Sequence, residues 1–219
     1  NIHIQDPKIN YKLFDLIVCP EHDNLNFDNC ISTLLAIHNI KFKKNIRNKN
    51  TINFIIGGPN KYFKFQQQTQ EKILNEIKFL SNDFTVNVIP SRRTPRGLIE
   101  ELSKIDNENI VTFDDLFNPR KYGELLSMGN LQVVTWDSIS MISEAISSEA
   151  GTFLFKFEEK FCPKRYLKFF DKITKLNLAK FYNQNLKPYE IHIDDYNKNL
   201  KTKILNKIQS NLRFRSSNA

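Results

Sequence analysis

At 219 residues, with 40% apolar side chains and 18 Phe, the chain can bury a sizeable core as one large domain or as one domain plus part of another. It has no apolar run of the ~18 residues that a bilayer-spanning helix needs, and its start, Asn1-Ile2-His3-Ile4-Gln5-Asp6, lacks the charged and apolar regions of a signal peptide. The net charge of +8 arises from 24 Lys against 8 Arg spread along the chain beside 26 Asn, the usage of an AT-rich genome rather than of a phosphate-reading surface, so specific nucleic-acid binding is not expected.

Cys19, Cys30 and Cys162 are odd in number and far apart, without a Cys-x-x-Cys pair. They read as buried or incidental thiols of a reducing compartment. His3, His22, His38 and His192 form no i, i+4 pair, so neither a metal nor a bound cofactor is expected.

In chain order, three short apolar runs open the sequence: Ile2 to Gln5, Phe14 to Cys19 and Ile31 to Ile37. The gaps between them are too short for crossover helices, so residues 1–45 read as the remnant of a layered domain whose earlier strands lie upstream. The polar stretch Lys41 to Asn50 reads as a linker, or as a solvated hairpin turn. A regular series follows, with strands at Ile52–Ile56, Phe84–Ile89, Asn109–Phe113, Leu131–Thr135 and Thr152–Phe157. Helices are expected at Gln68–Leu80, Pro95–Lys104, Lys121–Met128, Ser138–Ser147 and Pro163–Leu178. This alternation predicts an α/β fold, with a complete Rossmann-like unit over 51–195 and a basic helix with a tail over 196–219.

Ligands of open parallel sheets bind beyond the carboxyl ends of strands, which selects four places. Gly57-Gly58-Pro59 follows the first strand of the series, either admitting a phosphate or sugar to the backbone or simply making a tight exit. In Ser91-Arg92-Arg93-Thr94-Pro95, Thr94 reads as an N-cap and Pro95 as the first helical residue, with Arg92 and Arg93 suited to an anion at that helix start or to surface ion pairs. Asp137 or Ser138 caps the next helix, where Ser138, Ser140 and Ser143 offer hydroxyls to phosphate and Glu144 a carboxylate to a ribose. Ser140, Met141 and Glu144 share a face there, though the same pattern suits a well-capped helix with Met141 and Ile142 in the core. His22 beside Asp23 offers a base, or a turn stabilised by Asp23.

Read together, the ordered segments Gln5-Asp6-Pro7, Phe14 to Asp23, Ile56-Gly57-Gly58-Pro59, Ser91 to Pro95 and Asp137 to Ala145 resemble the ELM1-like family of mitochondrial fission factors and their bacterial relatives. The resemblance implies a GT-B-like architecture of two facing Rossmann-like domains with a nucleotide-sugar donor held by the second, without a required metal. It implies that roughly a hundred residues precede Asn1, by domain size. It places Gly57 and Gly58 on the cleft floor, and Ser91, Arg92, Arg93 and Thr94 beside the diphosphate. Asp137, Ser138, Ser140, Met141 and Ser143 would surround the donor, Glu144 would meet the ribose, and His22 and Asp23 would face the acceptor. A family Gly-Lys-Pro turn after the Ser-Glu-Ala segment is here Ser147-Ser148-Glu149-Ala150-Gly151-Thr152, which keeps only the glycine.

The expected function is sugar transfer to a cell-envelope or other glycan acceptor, or to a lipid-linked one, in a soluble cytoplasmic protein of bacterial type. Lys198 to Arg215 reads as a helix that packs back on the sheet with its Lys solvated, or as a peripheral contact with the inner face of the membrane. The alternative that the resemblance implies is a non-catalytic adaptor at the mitochondrial outer surface that recruits a dynamin-related GTPase.

Overall fold

The uninterrupted run Leu16-Ile17-Val18-Cys19 has no polar side to turn to water, so it becomes a central strand buried on both faces. In the computed structural model, which describes residues 1–113, 119–159 and 161–216, this strand is β2 (Leu16–Pro20) of a small parallel sheet ordered β1-β2-β3. Its neighbours are β1 (Ile2–Ile4) and β3 (Cys30–Thr33). Single 3-10 turns at Tyr11–Leu13 and Glu21–Asp23 link these strands in place of crossover helices.

The chain divides into two compact units, one of residues 1–38 with 192–219 and one of residues 39–191. The C-terminal helix, Asp194–Ser216, therefore belongs to the sheet of β1 to β3. The Tyr196 hydroxyl accepts the Leu34 N–H beyond β3, and Asn211 Nδ2 donates to the Asp15 carbonyl at 3.0 Å. Asp194 and Asp195 stand in its first turn, where the helix dipole favours them.

In the larger unit the strands are β4 (Asn48–Ile56), β5 (Thr85–Pro90), β6 (Ile110–Thr112), β7 (Gly129–Thr135), β8 (Gly151–Phe155) and β9 (Lys180–Phe181). The helices are α1 (Gln67–Leu80), α2 (Arg96–Ser103), α3 (Pro119–Met128), α4 (Ile139–Ser147) and α5 (Lys164–Lys175), with the C-terminal helix of the other unit as α6. All six strands pair in parallel in the order β6-β5-β4-β7-β8-β9. The order reverses between β4 and β7, which is the doubly wound Rossmann arrangement with its topological switch at that pair. Apolar spacing in α1 turns Ile73, Leu74, Ile77 and Leu80 onto the sheet, as the periodicity predicts.

Two elements differ from expectation. β4 begins at Asn48, inside the stretch read as linker or loop, because Asn48 pairs with Gly129 before a register shift brings Ile52 opposite Leu131. Its first residues are exposed and polar, so backbone pairing alone makes them strand. β9 is an exposed two-residue edge strand on β8, too short for any periodicity to reveal.

Across the middle of this sheet runs a buried row of amides. Asn87 Nδ2 donates to Asn53 Oδ1 at 3.0 Å, and Asn53 Nδ2 donates to Gln132 Oε1 at 3.0 Å and to the Leu125 carbonyl at 2.9 Å. Gln132 Nε2 donates to the Leu126 carbonyl at 2.8 Å. The row thus satisfies carbonyls at the end of α3 that have no partner within the helix.

Candidate functional site

Four segments meet beyond the carboxyl ends of β4, β5 and β7, at the switch point. Asp137, 1% exposed, stands at their centre. Its Oδ1 accepts the Thr135 hydroxyl at 2.7 Å, and its Oδ2 accepts the Gly58 N–H at 3.1 Å and Arg93 Nη2 at 2.8 Å. Its carbonyl accepts Asn60 Nδ2 at 3.1 Å and the Tyr166 hydroxyl at 3.2 Å. Thr135 Oγ1 in turn accepts the Gly57 N–H at 2.7 Å. Burial pushes the Asp137 carboxyl above its ordinary range, and Thr135, Arg93 and the Gly58 amide oppose that shift.

The glycine pair follows from this crowding. A Cβ on Gly57 would lie 2.2 Å from the Asp137 carboxylate oxygens, and one on Gly58 would lie 2.0 Å from the Arg93 carbonyl oxygen. The open space beside both glycines is therefore taken by the protein's own carboxylate and backbone.

Thr94 is not an N-cap. The helix α2 starts at Arg96 behind an extended Pro95, which offers no side-chain cap. The Thr94 hydroxyl instead faces the carbonyls of Ile56 at 2.9 Å and Gly57 at 2.7 Å while accepting the Ser91 N–H at 2.8 Å. It staples the β5 exit to the β4 exit, a long-range task that leaves nothing for the local helix. Arg93 Nη1 reinforces the staple with a 2.5 Å bond to the Gly58 carbonyl, whereas the Arg92 side chain lies on an exposed residue of the turn.

Ser138 is the cap of α4, its hydroxyl accepting the Met141 N–H at 3.5 Å, while Asp137 serves the network above. Ser140 is exposed in the first turn and Met141 half-buried. Ser143 is fully buried, and Glu144 accepts the Tyr122 hydroxyl of α3 at 3.0 Å. Burial raises the Glu144 carboxyl, and the bond from Tyr122 opposes it. His22 and Asp23 belong to the other unit, on the 3-10 turn after β2, with His22 Nε2 3.9 Å from Asp23 Oδ1. That separation exceeds a hydrogen bond.

The structure thus gathers Gly57, Gly58, Ser91, Arg93, Thr94 and Asp137, sets Arg92, Ser138 and Ser140 on the neighbouring turns, and turns Ser143 and Glu144 inward. Sequence reasoning passes over Thr135, Asn60 and Tyr166. A polar residue ending a buried strand two positions before an Asp is the one local signal for Thr135; the other two join only through the fold. Among the described residues no helix is long and apolar enough to cross a membrane, and no three His, Cys, Asp or Glu side chains group as metal ligands would.

A parallel sheet in this order, with its reversal between β4 and β7, defines a Rossmann-like α/β protein. The chain belongs to the mitochondrial fission ELM1 family, whose model matches residues 1–205. It is also similar to an uncharacterized protein of Rickettsia prowazekii (strain Madrid E), at 23% identity over 84% of this chain and 65% of that protein, so it spans just under two thirds of that relative's length.

Proposed function

We propose that the unit of residues 39–191 is the donor-binding domain of a GT-B-type glycosyltransferase, which holds a nucleotide sugar and passes the sugar to a glycan or lipid-linked acceptor. One observation carries this reading: loops 57–60, 91–94 and 136–138 converge at the switch point of a parallel sheet, where such folds take nucleotides. Arg92 and the start of α4, with Ser138 and Ser140, face the diphosphate and stabilise it as charge builds on leaving. Arg93 and Asp137 hold the loops in place, and Glu144 meets the ribose by exchanging its bond to Tyr122.

Thermal unfolding with UDP-, GDP-, ADP- and CMP-sugars tests the reading. One of them raises Tm, and Arg92→Ala removes that rise while leaving the ligand-free Tm unchanged, because Arg92 is exposed. No rise with any of the four, or an undiminished rise in the variant, overturns it. Recovery of a dynamin-related GTPase in a pull-down alongside that negative result would put the adaptor reading in its place.

A further inference from the structure

The small sheet of β1 to β3 brings together two thiols that stand eleven residues apart in the chain. Its parallel register sets Ile17 opposite Cys30 and Cys19 opposite Ser32, so Cys19 and Cys30 are two positions out of step. Side chains two positions apart along a strand share a face, so both sulfurs lie on one side of the sheet, where they meet at 3.3 Å. Their surroundings differ. Cys19 lies in the central strand and is 0% exposed, whereas Cys30 opens the edge strand β3 and is half-buried. Burial pushes the Cys19 thiol up to about 12, and its contact with Cys30 and the carboxylates of Asp23 and Asp6 add to the rise. One thiol is thus protonated and sheltered while the other is within reach of solvent, the asymmetry of a resolving cysteine beside a reacting one.

We propose that Cys19 and Cys30 form a reversible dithiol couple that a peroxide converts to a disulfide, with Cys30 reacting first and Cys19 closing the bond. The Cys30 sulfur, as thiolate, attacks one oxygen of hydrogen peroxide. The O–O bond breaks, the other oxygen leaves as hydroxide and takes up the proton that Cys30 released, and Cys30 becomes a sulfenic acid. The Cys19 sulfur then attacks the Cys30 sulfur as the S–O bond breaks, and the departing hydroxide leaves with the Cys19 proton as water. Together the thiols give up two electrons and two protons, and one peroxide becomes two waters. Closing 3.3 Å to the ~2.05 Å of a sulfur–sulfur bond calls for an approach of about 1.3 Å. Cys30 is placed to supply it, because it begins its strand directly after a turn, its N–H bonded to the Phe27 carbonyl at 2.9 Å. The bond closes a ring over residues 20–29 with the Glu21–Asp23 turn inside it, so oxidation fixes both ends of the loop that leaves β2.

Peptide mapping of the intact, folded chain after exposure to hydrogen peroxide tests the couple. Cleavage after Lys12 and Lys41 releases one peptide that holds both cysteines. In the oxidised chain this peptide lacks two hydrogens and takes no alkylating reagent until dithiothreitol restores both thiols, and the Tm after re-reduction equals the Tm before oxidation. Dimedone, which traps sulfenic acids, marks Cys30 about ten-fold more or higher in Cys19→Ala than in the parent, because the sulfenic acid then has no neighbouring thiol to resolve it. Cys30→Ala leaves Cys19 unoxidised after the same exposure. A parent peptide that keeps both thiols, or that carries a sulfinic acid at Cys30 in place of the disulfide, overturns the couple, as does a disulfide that forms only in urea. Oxidation of Cys19 in Cys30→Ala overturns the order of attack. Where Cys19→Ala does not fold, the parent peptide alone decides.

Discussion

Arg93 Nη2 and Asp137 Oδ2 form a 2.8 Å ion pair that ties the exit of β5 to the exit of β7 across the strand between them. The two ends are unequally placed, because the Arg93 side chain is 37% exposed and that of Asp137 is 0% exposed. Removing Arg93 leaves a buried carboxylate uncompensated and costs about 3–5 kcal/mol, whereas Asp137→Asn frees a guanidinium that can reach water and costs about 1–2 kcal/mol. Urea unfolding of Arg93→Ala, Asp137→Asn and the double variant should give that order and a double-variant loss smaller than the sum. Strictly additive losses would mean that the two residues do not act on each other.

The glycines of the same exits separate crowding from flexibility. Gly57→Ala and Gly58→Ala push a methyl into Asp137 or the Arg93 backbone and should each cost about 1–3 kcal/mol or more. Gly97, in the first turn of α2, has nothing within 4 Å of its Cβ position, and Gly97→Ala should stabilise by about 0.5–1 kcal/mol through helix propensity. Opposite signs in denaturant midpoints check the contrast, and a neutral Gly57→Ala would contradict the geometry.

The amide row offers a sharper stability test. Asn53→Leu matches the side chain in size but strands Asn87 Nδ2, Gln132 Oε1 and the Leu125 carbonyl at the end of α3 without their shared partner. Each buried polar group left unsatisfied costs about 1–3 kcal/mol, so the variant should lose at least about 3 kcal/mol. Gly129 should tolerate no side chain, because its Cβ would fall 2.6 Å from the Asn53 amide. Hydrogen exchange at the α3 C-terminus should quicken in Asn53→Leu before the rest of the sheet does.

What the sequence reveals depends on whether burial leaves a trace in it. Ile52 to Ile56 and the Ile73-Leu74-Ile77-Leu80 spacing mark β4 and α1 because a buried face demands apolar residues at a fixed period. Asn48 to Asn50 and β9 carry no such trace, since their strands are made by hydrogen bonds to a neighbour while their side chains remain in water. At the site, residue types are legible and partners are not. Thr94 has the chemistry of a cap yet bonds to carbonyls of β4, and Asp137 meets Gly58 across |i−j| = 79. A hydroxyl or carboxylate cannot tell from its own neighbours whether a distant strand will need it more.

Glu144 gives the site a pH signature. Its burial raises the carboxyl above the ordinary 4.5, against the opposing bond from Tyr122. The unfolded chain therefore releases this proton near 4.5 while the folded chain still holds it. In that interval the native state binds more protons, so stability attributable to Glu144 is fully present below the unfolded value and is lost as pH rises through the folded one. Glu144→Gln keeps an oxygen for the Tyr122 hydroxyl and abolishes the titration. Asp137 is shifted in the same direction but is common to both proteins, so it drops out of the comparison. The Tm of Glu144→Gln relative to the parent should thus climb as pH rises past 4.5 and level off above the raised folded value. A difference that stays flat from pH 4.5 upward would show that Glu144 titrates alike in the folded and unfolded chain.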